Sequence, residues 1–208
     1  MKKLIQMSSF MIILAIVTAG LISGMDKLTA KRIEENANFE WKSAILTHNE
    51  ISHSVTDYVA LFDQNFEAID NVENPRDRVY RNKTTGTYNF YYTGGGVWGE
   101  INGVITLESD GKTIVTISVL NQSETPGLGA LVATRDYLNK YVGKQFSDAL
   151  SLVNTVENAD PNAEVDAITG ATGTSRRFIV ILNDVYQAKM GGNQWNTLEW
   201  NIQNGSKH

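Results

Sequence analysis

An uncharged, apolar stretch of twenty-two residues lies near the start of the chain, from Leu4 to Met25. A helix of that length spans roughly 30 Å, the thickness of the hydrocarbon core of a bilayer. A cleaved signal peptide would instead have an apolar region of about 7 to 15 residues and a small-x-small cleavage site. Ala15-x-Val17 and Thr18-Ala-Gly20 match such a site poorly. The sequence therefore predicts a retained transmembrane anchor over residues 1–25, with a cleaved signal peptide as the alternative.

Basic residues on the two sides of this stretch bear on its orientation. Lys2 and Lys3 precede it and favour a cytoplasmic N-terminus. Lys27, Lys31 and Arg32 follow it, so the difference in basic residues between the two sides is small. We expect a single-pass protein of the inner (cell) membrane whose soluble domain lies on the extracytoplasmic side.

The composition excludes several classes of site. The 208 residues include 18 basic and 23 acidic side chains, and no segment interleaves arginine, lysine and aromatic residues, so we expect no nucleic-acid partner. The chain has no cysteine, which excludes disulfides, thiolate-bound iron–sulfur clusters and a cysteine nucleophile. Only His48 and His53 are close enough to share a helix face, and nothing else at ligand spacing supports a metal site.

The rest of the chain is predicted to be a helical segment followed by an α+β domain. We predict a helical stalk over residues 26–75, with a second helix near Val59–Ile69 and a break at Pro75. A folded domain is expected over residues 76–192 and a tail over residues 193–208. Aromatic and β-branched residues at 87–93, 104–107 and 113–120, with Asp110-Gly111 as a tight turn, predict an antiparallel sheet.

Three helices are expected to pack on that sheet. Leu128–Tyr141 and Arg176–Met190 carry apolar residues at helical spacing, and Phe146–Val153 is predicted to be a shorter helix. Thr174 or Ser175 would cap the last long helix, which Gly191-Gly192 would stop. The predicted fold class is therefore α+β, an antiparallel sheet with packed helices behind one transmembrane helix.

Two glycine-rich segments could approach a ligand closely. Gly94–Gly99 contains the spacing GxGxxG, but a dinucleotide site needs a helix after it, and Ile101–Leu107 has the pattern of a strand. We therefore interpret it as a turn between strands, with Trp98 packed on the core. In Glu124-Thr-Pro-Gly-Leu-Gly129, Pro126-Gly127 suits a type II turn, which could be only a turn or could admit a planar ligand to its backbone amides.

A third segment, Asp166-Ala-Ile-Thr-Gly-Ala-Thr-Gly-Thr-Ser-Arg-Arg-Phe178, concentrates hydroxyl groups ahead of a helix. The hydroxyls could merely cap that helix. Alternatively, Thr172 could carry a phosphate ester, since a helix N-terminus stabilises an anion and Arg176 and Arg177 add positive charge. The local pattern by itself leaves both possibilities open.

Residues 166–172 match the flavinylation motif Asp-x-x-(Ser/Thr)-Gly-Ala-(Thr/Ser) of FMN-binding domains, and residues 124–129 match a second element of that domain. Over about residues 80–190 the chain resembles the FMN-binding subunits of Rnf complexes and of sodium-pumping NADH:quinone oxidoreductases. The resemblance makes the domain expected over residues 76–192 an FMN-binding domain. It implies FMN bound covalently through its phosphate to Thr172, attached by a flavin transferase that uses FAD as donor.

The resemblance also assigns roles to neighbouring positions. Asp166, Thr169 and Gly170 match residues that the transferase recognises, and the following Ala171 keeps the chain beside Thr172 slim. Thr174 is a second possible acceptor outside the motif, with Ser175 beside it. The residues that match the loop along the flavin are Glu124, Thr125, Gly127, Leu128 and Gly129.

The function implied is that of an electron-transfer protein rather than an enzyme with a free substrate of its own. The short chain favours an Rnf-type ferredoxin:NAD⁺ oxidoreductase complex, whereas residues 95–99 are closer to the corresponding component of the sodium pump. Other membrane subunits of such a complex would be its partners. Two further hypotheses are a tethered binding module without flavin and a hydrolase with a Ser or Thr nucleophile, for which no histidine lies within a hundred residues upstream of the motif.

Overall fold

The computed structural model describes residues 2–146, 149–153 and 162–191, so the predicted tail at 193–208 lies outside the described residues. The chain divides into two compact units, Met1–Phe39 and Glu40–His208. This division lies N-terminal of the boundary between residues 75 and 76 that the sequence suggested. The reason is that residues 40–75 belong to the core of the second unit.

The first unit is helical. Helix α1 (Lys2–His48) begins in this unit and is continuous through it, as the absence of proline and the run of aliphatic residues predict. Within the described residues it is the one helix that is long and apolar enough to cross a membrane, with a mean hydropathy of 2.0 over its most apolar window. None of that window is buried.

The second unit contains the end of α1, three further α-helices and seven strands among the residues described. The helices are α2 (Tyr58–Asn65), α3 (Arg135–Leu138) and α4 (Thr172–Lys189), with 3₁₀ turns at Pro75–Asp77, Gly129–Ala133 and Asn139–Tyr141. The strands are β1 (Phe66–Ala68), β2 (Val79–Asn82), β3 (Tyr88–Gly95), β4 (Glu100–Leu107), β5 (Ile114–Asn121), β6 (Ser151–Val153) and β7 (Glu164–Asp166).

Strands β1 to β5 form one antiparallel sheet in chain order, which confirms the predicted sheet. Phe90 of β3 pairs with Ile105 of β4, and Ile105 pairs with Ile117 of β5. The turn at Asp110-Gly111 joins β4 to β5 as predicted. Strands β6 and β7 form a separate parallel pair.

Side chains alternate between the two faces of the sheet, and each face has its own apolar core. On one face Phe90, Tyr92 and Ile105 pack with Phe178 of α4, and the rings of Tyr92 and Phe178 lie 5.9 Å apart. On the other face Tyr91 and Val104 belong to a core formed with the end of α1 and with α2. That core contains Trp41, Ile45, Leu46, Phe62, Phe66 and Tyr80.

Three of the predicted helices differ from the observed elements. The helix expected over Leu128–Tyr141 is broken into two 3₁₀ turns and α3, because Thr134 adopts extended backbone angles (φ −78°, ψ 144°). The helix expected over Phe146–Val153 is wrong, since Ser151–Val153 pairs with β7 as a strand. The helix expected over Val59–Ile69 ends at Asn65, where the chain enters β1.

Candidate functional site

The hydroxyl-rich segment leads into α4, which begins at Thr172, four residues before the predicted start at Arg176. The predicted caps are wrong: Ala171 is the N-cap residue, and Thr174 and Ser175 lie inside the helix. The buried Ser175 hydroxyl donates to the carbonyl of Ala171 (3.1 Å) and accepts from the N–H of Ile168 (3.0 Å). Ser175 therefore holds the preceding loop against the helix.

Glu124 joins three segments that are far apart in the sequence. One carboxylate oxygen accepts hydrogen bonds from the backbone N–H groups of Val97 (2.7 Å) and Trp98 (3.0 Å). The other oxygen accepts a hydrogen bond from the Thr174 hydroxyl at 2.7 Å. Glu124 is only 4% exposed. One buried carboxylate thus connects the β3–β4 turn, the loop after β5 and the first turn of α4.

Burial and hydrogen bonding act in opposite directions on the pKa of Glu124. Burial raises it, since the charged form loses solvation, whereas the bonds from Trp98, Thr174 and Val97 lower it because they favour the carboxylate. The hydrogen bonds together outweigh burial, and the pKa lies below the usual value for glutamate. Glu124 is therefore ionised at neutral pH.

These three segments enclose an open cleft beside the N-terminus of α4. Its walls include two apolar side chains from different loops, Trp98 of the β3–β4 turn and Leu128 of the loop after β5, which are exposed by 74% and 45%. The lining residues are Val97, Trp98, Thr125, Leu128, Gly129, Gly170, Ala171, Gly173 and Thr174.

Trp98 does not pack on the core, so this part of the sequence interpretation is wrong. Glycines on both sides of Val97-Trp98 keep the turn free of neighbouring side chains that could cover the indole. The sequence signal that could have found this wall of the cleft was a tryptophan flanked by glycines in a turn, which favours an exposed indole. The cleft-lining residues that sequence reasoning missed are Val97, Trp98 and Gly173.

Backbone conformation brings the two predicted loops to the cleft. Gly127 has φ +75° and the N–H of Leu128 donates to the carbonyl of Thr125 (3.1 Å), which confirms the predicted type II turn. Gly170 has φ +79°, a value that a residue with a Cβ rarely adopts, and a Cβ there would lie 3.2 Å from Leu128. The two loops therefore meet at Leu128 and Gly170.

Thr172 lies between two residues that line the cleft, and its side chain is partly exposed. No hydrogen bond joins its hydroxyl to another of the residues described. The first N–H groups of α4, an 18-residue helix, have no partner within the helix and favour an anion at this end. Arg176 and Arg177 are exposed on the same helix.

Six of the predicted site residues do not line the cleft: Glu124, Gly127, Thr172 and Ser175, which are described above, and Asp166 and Thr169. Asp166 ends β7, and its carboxylate lies 3.4 Å from the Lys140 ammonium. Thr169 is exposed in the turn before Gly170. Asp166 and Thr169 are both near the surface, where a modifying protein could reach them, and neither forms a wall of the cleft.

The arrangement suits a flat ligand that carries a phosphate. Glycine and alanine leave room beside the backbone, Trp98 and Leu128 offer apolar contact, and the start of α4 favours negative charge. A covalent bond to the Thr172 hydroxyl would retain such a ligand in a cleft that is open to solvent.

Residues 96–187 match the family model of the FMN-binding domain. NqrC of Neisseria meningitidis, a component of its Na⁺-translocating NADH-quinone reductase, is 37% identical over 87 residues, which are 40% of this chain and 34% of that protein. Its counterpart from Yersinia pestis is 32% identical over 87 residues, 39% of this chain and 33% of that protein. The chain thus spans about a third of the length of the curated relatives it matches.

Two solved structures share the fold. NqrC from Shewanella oneidensis matches with a TM-score of 0.62 at 21% identity, over 77% of this chain and 96% of that one. The NqrC protein of the Na⁺-translocating NADH-quinone reductase from Parabacteroides distasonis matches with a TM-score of 0.60 at 21% identity, over 75% and 93%. The α+β prediction and the resemblance to FMN-binding subunits of this type are confirmed.

Proposed function

We propose, on the premise that residues 96–187 are an FMN-binding domain, that this chain carries FMN on the Thr172 hydroxyl as a membrane-anchored electron-transfer subunit. The FMN phosphate would lie at the start of α4 and the ring system between Trp98 and Leu128. FMN supplies the capacity to take up electrons singly or in pairs. The residues of the chain hold and orient it.

The observation that carries the proposal is the difference among three neighbouring hydroxyls. The Thr174 hydroxyl donates to Glu124, and this residue is 5% exposed. Ser175 is fully buried, and its hydroxyl bonds the backbone of Ala171 and Ile168. Thr172 is partly exposed and has no such partner among the residues described. It is therefore the hydroxyl of the first turn that an attaching enzyme could reach without breaking the site.

Attachment of FMN requires a second protein, a flavin transferase, with FAD as the donor. The Thr172 oxygen forms a new bond to the phosphorus on the FMN side of FAD. The pyrophosphate bond breaks, AMP leaves and the threonine loses its hydroxyl proton. Thr169, which is exposed in the turn, and the half-buried Asp166 at the end of β7 are the residues that we expect the transferase to contact.

Covalent attachment explains the combination of an open cleft with a redox role. A domain on the extracytoplasmic side would lose a weakly bound cofactor to dilution, and a phosphoester prevents that loss. An anchor formed by the apolar part of α1 would keep the flavin near membrane subunits that exchange electrons with it. The same interpretation assigns the overall enzymatic reaction to the complex.

Two kinds of complex fit this role. The relatives described above belong to Na⁺-translocating NADH-quinone reductases, which supports an Nqr-type complex. The Rnf-type ferredoxin:NAD⁺ oxidoreductase favoured by chain length stays a prediction. Either complex would supply membrane subunits as partners. The alternative is a tethered module without flavin that belongs to neither complex.

The attachment is tested by intact mass and by flavin fluorescence in a denaturing gel, with protein produced in a host that has the flavin transferase. We expect the full-length chain to gain the mass of one FMN less water and to give a fluorescent band. Thr172→Ala should lose both signals, because the acceptor oxygen is gone. Thr172→Ser should keep them, since the motif admits either hydroxyl.

Thr174→Ala serves as the control for position, because it removes a hydroxyl two residues away. It should keep the added mass, although it breaks the bond to Glu124. An unmodified, colourless wild-type chain would support the module without flavin. Added mass that survives in Thr172→Ala and disappears in Thr174→Ala would move the acceptor.

A further inference from the structure

An apolar groove lies at the C-terminal end of α4, and its lining shares no residue with the cleft. Its volume is about 360 Å³, within the range of pockets that hold small ligands or large side chains. The walls come from the segment between β1 and β2, from β2 and β3, and from α4. The apolar wall residues are Ile69, Val72, Val79, Tyr91, Val185 and Ala188.

The charged groups around this groove already have partners within the domain. The Asp70 carboxylate accepts hydrogen bonds from the backbone N–H groups of Val72 (3.4 Å) and Val79 (2.8 Å). The Lys189 ammonium donates to the backbone carbonyl of Asp77. Because these groups are satisfied, the groove presents mainly hydrocarbon to an occupant, and a charged small ligand is not the natural candidate.

The chain itself supplies an apolar segment next to the groove. Ala188 and Lys189, which line it, are the last two residues of α4, and Met190 and Gly191 follow them. Residues 192–208 come next and carry Trp195, Leu198, Trp200 and Ile202. Trp195 is four residues beyond Gly191, a reach of at most about 14 Å for extended chain.

We propose that the C-terminal segment, residues 192–208, lies in this groove and fills it with its tryptophan side chains. Burial of an indole against aliphatic walls stabilises the contact. The segment starts at the rim, so its effective concentration there exceeds that of any free partner. A second copy of the chain or another subunit would have to displace a segment that is already attached.

Disulfide trapping tests this proposal, and the natural chain contains no cysteine that would interfere. Val72→Cys places one thiol on the groove wall. Single cysteines at successive positions from Asn193 to Gln203 then sample the segment, in full-length protein in detergent under mild oxidation. The control is Val142→Cys with the same second positions, because Val142 is similarly exposed (47% against 42%) but does not line the groove.

We expect at least one position to form an intramolecular disulfide with residue 72, in a yield on the order of tenfold above that with residue 142. The product is identified by mass and by mobility in a non-reducing gel. Equal yields for the two wall positions across the whole scan would overturn the proposal. A disulfide-linked dimer as the main product would assign the groove to a second copy instead.

A pair of substitutions on α4 separates docking in the groove from random collision. Val185→Arg places a charge on the groove wall, whereas Val180→Arg places one on an exposed position of the same helix that does not line the groove. We expect Val185→Arg to reduce the yield of the best pair severalfold and Val180→Arg to leave it unchanged. An unchanged yield in both variants, with both proteins folded by circular dichroism, would contradict the proposal.

Discussion

Glu124 is the residue on which the shape of the cleft depends. It is buried, and it accepts hydrogen bonds from Val97, Trp98 and Thr174, so its removal would leave three donors without a partner. We expect Glu124→Ala to lower the free energy of unfolding by about 3 kcal/mol, because donors left unsatisfied in a buried site are costly. Urea unfolding followed by circular dichroism measures this change.

Glu124→Gln should cost less, about 1 kcal/mol, because its amide oxygen still accepts while the charge that strengthens each bond is lost. The matched control is Glu108→Ala at an exposed position beside the β4–β5 turn, where we expect a change within about 0.5 kcal/mol. If Glu124→Ala behaved like Glu108→Ala, the carboxylate would not be what holds the three segments together.

At the scale of elements, the last turns of α1 belong to the core of the sheet rather than to a stalk. Trp41, Ile45 and Leu46 are 1%, 0% and 0% exposed. Loss of one such side chain costs about 2 to 5 kcal/mol, and a domain has only about 5 to 15 kcal/mol in total. Removal of all three should therefore unfold the domain.

Two truncations test this boundary. A variant that begins at Glu40 should show a cooperative thermal transition by circular dichroism, since it keeps all three side chains. A variant that begins at Asn49 should lack that transition and aggregate, since one face of the sheet is uncovered. Similar melting temperatures for the two variants would contradict the assignment of residues 40–48 to the domain.

Elements with a clear local pattern were predictable, and those decided by distant contacts were not. The aromatic and β-branched residues at 87–93 and 113–120 indicated the antiparallel sheet, and Pro126-Gly127 indicated the type II turn. The segment Ser151–Val153 was predicted to be helical, but it is a strand because it pairs with β7, and its own sequence does not report that contact.

The site divides in the same way. The two segments that match FMN-binding domains, residues 124–129 and 166–172, both contribute to the cleft lining, whereas the bond from Thr174 to Glu124 spans 50 residues and no local pattern reports it.

At the scale of the whole molecule, the last residue of α1 is connected to the sheet through a neutral imidazole. This residue, His48, lies beyond the apolar stretch, and its ring nitrogens bond the hydroxyls of Thr106 (2.9 Å) and Ser118 (2.6 Å). Burial, together with the smaller effect of the positive charge of Arg135, lowers the pKa of His48 to about 4. The folded chain therefore disfavours protonation of this ring.

This pKa predicts how stability depends on pH. An unfolded chain protonates His48 near pH 6.5, whereas the folded chain does so near pH 4, so stability falls as the pH drops between these values. Because the pKa of Glu124 is lowered in the folded chain, stability decreases further as the pH falls through the folded-state pKa of Glu124.

We expect His48→Gln to reduce the decrease in stability that protonation of His48 causes, measured as melting temperature against pH. A wild-type slope in that variant would show that another group is responsible.

The order of the strands has a consequence for when the proposed flavin acceptor, Thr172, is synthesised relative to the sheet. Each strand from β1 to β5 pairs with the one next to it in the chain, so the sheet requires only short loop closures and we expect it to form early and fast. Thr172 follows all five strands in order of synthesis. If Thr172 carries the FMN as proposed, that threonine is synthesised after the loops that form the other walls of the cleft, and the attachment of the cofactor would be a late event in the biogenesis of the chain.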